Sequence, residues 1–260
     1  MKASHSIVWQ LRLPLIILMA YLVAGCRPPT PQPLPPDEIL ARAAGRMKSL
    51  QSFHFLIDRA GALAYLDAGQ SVAFARAEGD FYAPDQARAT IRVILPGLVA
   101  EVQMIALGDE YWETGLLTNR WEKLPPELGF NPAALFDPQS GFQEILSQDL
   151  SDLSYQGLQE LDEMPGQLFY TLSGRLEGER LYELSYGLIG PQAMEVNLWI
   201  AAQTFEVYRV QIDEPLPPSE SDPNDSAVSG SAVSGESVTR WRIDFWEFNA
   251  LEPIAPPPDG

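Results

Sequence analysis

The chain has 260 residues, 46% of them apolar and 10% aromatic, enough to pack the core of one sizeable domain and too apolar for a disordered stalk. Its 35 acids against 17 Lys and Arg give a net charge of −18, a surface that repels nucleic acid and anionic headgroups and excludes binding through a basic patch. Cys26 is the single cysteine, which excludes an internal disulfide and any cysteine-based metal site.

Lys2 and Arg12 precede an apolar run from Leu13 to Ala24, broken by Pro14. The run falls short of the ~20 residues of a comfortable membrane span. A basic start, a short apolar core and small residues at the end read as a secretory signal. Leu22-Val23-Ala24-Gly25-Cys26 resembles a lipobox, in which the cysteine receives a diacylglyceryl group and the peptide is cut just before it. The expectation is a signal peptide over 1–25 and a lipid attachment at Cys26 that holds the protein on the extracytoplasmic face of the cell membrane. Paired acyl chains make such attachment stable. An ordinary signal peptide or a signal anchor, with a chance cysteine, is the alternative. Cleavage leaves 235 residues with net charge −20, because Lys2 and Arg12 depart and no acid does.

Residues 26–36 read as a tether, since six prolines between Arg27 and Pro36 favour extended polyproline II at ~3.1 Å per residue. A domain follows over 37–250. Asp37 is placed to cap an amphipathic helix whose apolar stripe is Ile39, Leu40, Ala43, Ala44, Met47 and Leu50. At Gln51 the period changes to two, with Phe53, Phe55 and Ile57 on one face of a strand. Strands are predicted over Gln70–Phe81, Ala87–Leu95, Glu101–Leu107, Glu110–Glu113 and Asn119–Leu124, with Pro96-Gly97 and Gly108-Asp109 as turns. Asn131-Pro132 and Asp137-Pro138 each place a capping residue before a proline suited to a first helical turn. Strands resume at Leu150–Leu161 and Gln167–Leu172, a helix is predicted over Glu177–Leu188, and the last strands are Met194–Ala201, Phe205–Asp213 and Val238–Phe248. Between the last two, residues 215–237 carry the repeat Ser226 to Gly230 and Ser231 to Gly235 and read as a solvated insertion. The Pro-rich tail 251–260 reads as frayed.

Signals for chemistry are weak. His5 departs with the signal, and His54 between Phe53 and Phe55 reads as a structural histidine. No Gly-x-Ser-x-Gly elbow, phosphate loop or His/Cys metal cluster occurs, so no enzyme and no cofactor is expected. Acidic pairs such as Asp109-Glu110 and Asp162-Glu163 read as solvated turns. Asp222, Asn224 and Asp225 lack the glycine and terminal glutamate of a calcium loop.

Four segments carry a family resemblance. They are Ile39 to Ile57, the run Tyr111-Trp112 to Trp121 and Leu124-Pro125, the strand Val196-Asn197-Leu198-Trp199-Ile200, and the ending Ile243-Asp244-Phe245 through Phe248-Asn249 to Pro253-Ile254 and Pro256-Pro257. Together they resemble the LppX/LprG group of mycobacterial lipoproteins. The resemblance implies an α+β fold: a strongly curved antiparallel sheet, a half-open β-barrel, with helices packed on the concave face, similar to the LolA/LolB lipoprotein carriers. It also implies an apolar cavity for acyl chains and a lipid or glycolipid ligand that is bound or ferried; a monomer is expected. The chain departs from the pattern in its acidity and in the Ser/Gly insertion.

Strand alternation supplies candidates for the wall of such a cavity: Ile91, Val93, Val102, Met104, Leu198, Ile200, Val210 and Ile243. Trp241 and Phe245 share the face of Ile243. The same alternation describes a filled core, so a non-catalytic envelope sensor or interaction lipoprotein of this fold is the competing expectation.

Overall fold

Helix α1 spans Pro36–Lys48, with Pro35 at the N-cap position and Pro36 as its first residue, and no side chain caps it, so Asp37 is not the cap. Proline suits a first turn, where φ is preset and the missing N–H has no partner to lose. Asp37 and Glu38 then fall in the first turn and Arg46 and Lys48 in the last, both matching the helix dipole. The computed structural model to which this helix belongs describes residues 34–116, 118–125, 131–215 and 238–258. The expected signal peptide, Cys26, the tether before Leu34 and the Ser/Gly repeat lie outside the described residues.

The strands are β1 Ser52–Ala60, β2 Ala64–Tyr65, β3 Ala73–Tyr82, β4 Gln86–Leu95, β5 Leu98–Leu107, β6 Glu110–Thr114, β7 Trp121–Leu124, β8 Leu150–Leu161, β9 Met164–Leu176, β10 Met194–Ala201, β11 Val207–Pro215 and β12 Val238–Trp246. They form one antiparallel sheet in the order β7-β6-β5-β4-β3-β1-β12-β11-β10-β9-β8, with β2 added to β3. The sheet is open, because β7 and β8 end the order without pairing to each other. Two meanders are therefore joined where the last strand returns to lie between β1 and β11.

The helices are few and short. A 3-10 turn, Pro132–Phe136, is capped by Asn131, whose side chain accepts from the Ala133 amide. Asp137 does not open a helix directly; its carboxylate accepts from the amides of Gln139 and Ser140, and α2 begins later, at Phe142–Gln148. The helix expected over Glu177–Leu188 is only α3, Glu179–Leu184. Tyr186 and Gly187 take φ of 54° and 81°, a left-handed reversal that ends helices.

Helices and sheet share one core. Ile39, Ala43 and Met47 of α1, Phe136 of the 3-10 turn and Ile145 of α2 are buried with Phe53, Phe55, Phe81, Leu172, Leu198, Ile212 and Phe245 of the strands. Phe136 is its hub: its ring lies 5.2 Å from Phe53, 4.7 Å from Phe55 and 5.7 Å from Phe81. The opposite face carries cross-strand ion pairs, among them Arg92–Glu101, Arg209–Asp244 and Arg242–Asp58. Half-buried there, the Nδ1–H of His54 donates to Asp80 at 2.5 Å, Arg88 Nε donates to the same carboxylate at 2.6 Å, and the imidazole packs on Trp246.

The tail is not frayed. Asn249 accepts from the Gln51 amide, Leu251 donates to Ser52 Oγ and Ile254 donates to Gln86 Oε1. Ile254 is buried with Ile105 and Trp112 on the outer face. A proline-rich segment has few free donors to satisfy, so it can lie across a sheet when one apolar side chain anchors it.

Candidate functional site: a half-covered apolar row

The register lines up one inward-facing residue from each of eight strands. Val102 of β5 pairs with Ile91, Ile91 with Ala77, Ala77 with Ile57, and Ile57 with Ile243. Ile243 pairs with Val210, Val210 with Leu198, and Leu198 with Leu172 of β9. All eight side chains are apolar, because a strand with one wet face alternates and the row collects the dry positions.

The two halves of this row meet different neighbours. Over β9–β11, α1 lies against it. Leu40, Ala43, Met47, Leu198, Val210 and Phe245 surround a gap of only about 20 Å³, less than the ~30 Å³ share of one water or methylene. Over β1–β5 the helical layer thins to Phe136, Phe142 and α3, and a cavity of about 620 Å³ opens between sheet and helices. Its walls include Ile57, Phe74, Ile91, Val93, Trp241 and Ile243 from the sheet, and Leu181 and Leu184 from α3.

Five of the eight predicted wall residues line this cavity: Ile91, Val93, Val102, Met104 and Ile243. The other three are a correction. Leu198 and Val210 are fully buried under α1, and Ile200 is fully buried in the core beyond them. Alternation assigns a side chain to a face, and the covering element decides whether that position packs. Trp241 joins the cavity wall, whereas Phe245 packs against Phe53 and Phe136. Lining residues not nominated from sequence include Ile57, Phe74 and Val72 on predicted strands, Leu181 and Leu184 on the predicted helix, and Tyr65 and Leu66 at the two-residue strand β2. No periodicity can show in so short an element.

The lining is mostly hydrocarbon, with Glu113, Thr114 and Ser185 as polar members. Both hydroxyls are engaged: Thr114 Oγ1 accepts from the Gln103 amide, and Ser185 Oγ accepts from the Ile189 amide. Glu113 is a half-buried carboxyl whose pKa is raised, first by burial and then by Glu122 directly opposite it. The site therefore offers shape and apolar surface.

The fold has counterparts among solved structures. LprF of Mycobacterium bovis superposes with a TM-score of 0.61 at 15% identity, over 88% of this chain and 99% of that one. LppX of Mycobacterium tuberculosis superposes at 0.52 with 17% identity, over 84% and 96%. A LolA-superfamily protein of Nitrosomonas europaea reaches only 0.29 at 11% identity. No curated protein matches the sequence. The sequence profile of the LppX_LprAFG lipoproteins matches residues 35–234, from the first helix into the insertion, and the chain belongs to that family.

Proposed function

We propose that this protein is a lipoprotein anchored through Cys26 to the extracytoplasmic face of a cell membrane, where it binds or carries lipid in its apolar cavity as a monomer. The cavity of about 620 Å³ is the observation that carries the reading. A water takes ~30 Å³ and a methylene about as much, so the space holds on the order of 20 carbons. That suits one long acyl chain or two short ones. Each buried methylene contributes ~0.8 kcal/mol, so ten of them supply ~8 kcal/mol, the scale of a micromolar complex before association costs. Partitioning alone then suffices for binding, and a polar headgroup can remain at the opening. The competing reading is a sensor or interaction lipoprotein with a filled core, and the cavity speaks for the carrier reading over it. Organic extraction and mass spectrometry of the full-length protein, purified gently from membranes, provide the test. A lipid at near-equimolar ratio is expected, and a protein free of lipid would refute the reading.

A further inference from the structure

Eight large apolar side chains are exposed among the described residues, and six of them come from two neighbouring segments. Leu63, Tyr65 and Leu66 flank β2, and Ile94, Leu98 and Val99 form the tip of the β4–β5 hairpin. The register joins them, since Tyr65 pairs with Ala73, Ala73 with Ile94, and Ile94 with Val99. Tyr65 and Leu66 are also cavity walls, so the patch runs continuously from the opening to the hairpin tip. The remaining two, Tyr182 and Tyr186, flank the same cavity from the α3 side, Tyr186 as part of its lining.

Two features are wrong for a tip that stays in water. The outer face of β4 and β5 is polar along Arg88, Thr90, Arg92, Glu101 and Gln103, yet at the tip that face turns to the pair Ile94 and Val99, 37% and 58% exposed. Leu98, 50% exposed, lies on the other face, so the tip is apolar on both sides. Residues 60–66 and 93–100 also hold no charged side chain, although 20% of the chain is charged. The turn is Pro96-Gly97, where proline has no N–H and glycine takes the φ of 77° that few other residues adopt.

From this we infer that the β4–β5 tip and the β2 segment form a wedge that enters the surface of a lipid bilayer beside the cavity opening, and there exchanges the ligand. The inference rests on the lipid-binding reading above and adds where the protein meets the membrane. A bilayer suits the patch better than a protein partner. The patch is uncharged in a strongly acidic chain, so it brings no like charge against anionic headgroups. Tyr65 within it, and Tyr182 and Tyr186 on the α3 side of the opening, fit the boundary where an apolar ring meets a wet hydroxyl. A wedge continuous with the opening would spare the leaving acyl chain a passage through water, which costs ~0.8 kcal/mol per exposed methylene.

The test uses the full-length lipoprotein in phosphatidylcholine vesicles that contain a shallow nitroxide-labelled phosphatidylcholine. Leu98→Cys carries an environment-sensitive fluorophore, and Asp109→Cys carries it at the far end of β5, about 30 Å away at ~3.4 Å per residue. Strong nitroxide quenching at 98 and little at 109 is expected. Ile94→Ser with Val99→Ser, both already exposed, should abolish quenching at 98 and slow lipid transfer to acceptor vesicles roughly tenfold, with the amount of co-purifying lipid unchanged. Equal quenching at 98 and 109 in a protein that holds lipid would overturn the wedge alone. Shielding at 98 that rises with protein density and ignores the nitroxide would assign the patch to a second copy and overturn it as well. Quenching confined to 98 in a protein that never yields lipid would support the wedge and refute the carrier reading.

Discussion

The division of the apolar row into a covered and an uncovered half makes a paired prediction at two buried positions. Val93 is 2% exposed and lines the cavity, and Leu198 is 0% exposed and sits under α1. Burial alone treats them alike. In Leu198→Trp the indole has a gap of about 20 Å³ to enter, so it overpacks and should cost ~1–3 kcal/mol of unfolding free energy. In Val93→Trp it enters a space of about 620 Å³, so stability should stay within ~1 kcal/mol of wild type. The ring then occupies the room of about four methylenes, worth ~3 kcal/mol of ligand transfer at ~0.8 kcal/mol each. Co-purifying lipid should weaken by about a hundredfold in affinity. Urea unfolding measures the first quantity, and lipid per protein after dilution and re-extraction measures the second. The reasoning fails if Val93→Trp is destabilised as much as Leu198→Trp, or if it keeps the wild-type lipid content.

Three further outcomes follow from other parts of the chain. Cys26→Ala should abolish acylation and release the protein from the membrane fraction, and an unmodified Cys26 in the wild-type N-terminal peptide would refute the anchor. Deleting residues 226–235 shortens the connection between Pro215 and Val238, which pair directly as β11 meets β12. Loop closure changes by only ~0.5 kcal/mol for a near-halving of length, so a large fall in melting temperature would show that the repeat packs. Burial disfavours the charged form of His54, but its hydrogen bond to Asp80, the charge of Asp80 and then Glu78 outweigh that, and its pKa is raised above 6.5. Its contribution to stability is therefore fully present below about 6.5 and lost as pH rises through the higher folded value. His54→Gln should flatten that loss, and a titrating imidazole at or below 6.5 would contradict the assignment.

Much of the sheet was legible from alternation. Met194–Ala201 has the predicted limits, and the turns at Pro96-Gly97 and Gly108-Asp109 separate the strands expected around them. Period two is a local consequence of the pleat, so neighbours suffice to show it. What failed depends on partners distant in sequence. The tail looked frayed because its anchors, Ser52, Gln86, Ile105 and Trp112, lie far back in the chain. The helix over Glu177–Leu188 looked long because Leu181, Leu184 and Leu188 keep helical spacing. Leu188 still faces the cavity in the structure, carried there by a reversal at Tyr186 and Gly187.

That early stop at Leu184 bears on why a cavity exists at all. A sheet of this width exposes more apolar face than one 13-residue helix and two elements of seven and six residues can cover. The long helix is spent on β9–β11, where Met47 reaches the Val207 amide and Arg46 pairs with Glu206. Over β3–β5 the described cover is Leu135 and Phe136 of the 3-10 turn, Phe142 and the segment from Leu181 to Ile189. The cavity is thus a deficit of helix over a sheet whose own pattern is uniform. For that reason the strands alone could nominate its wall residues but could not separate Val93 from Leu198.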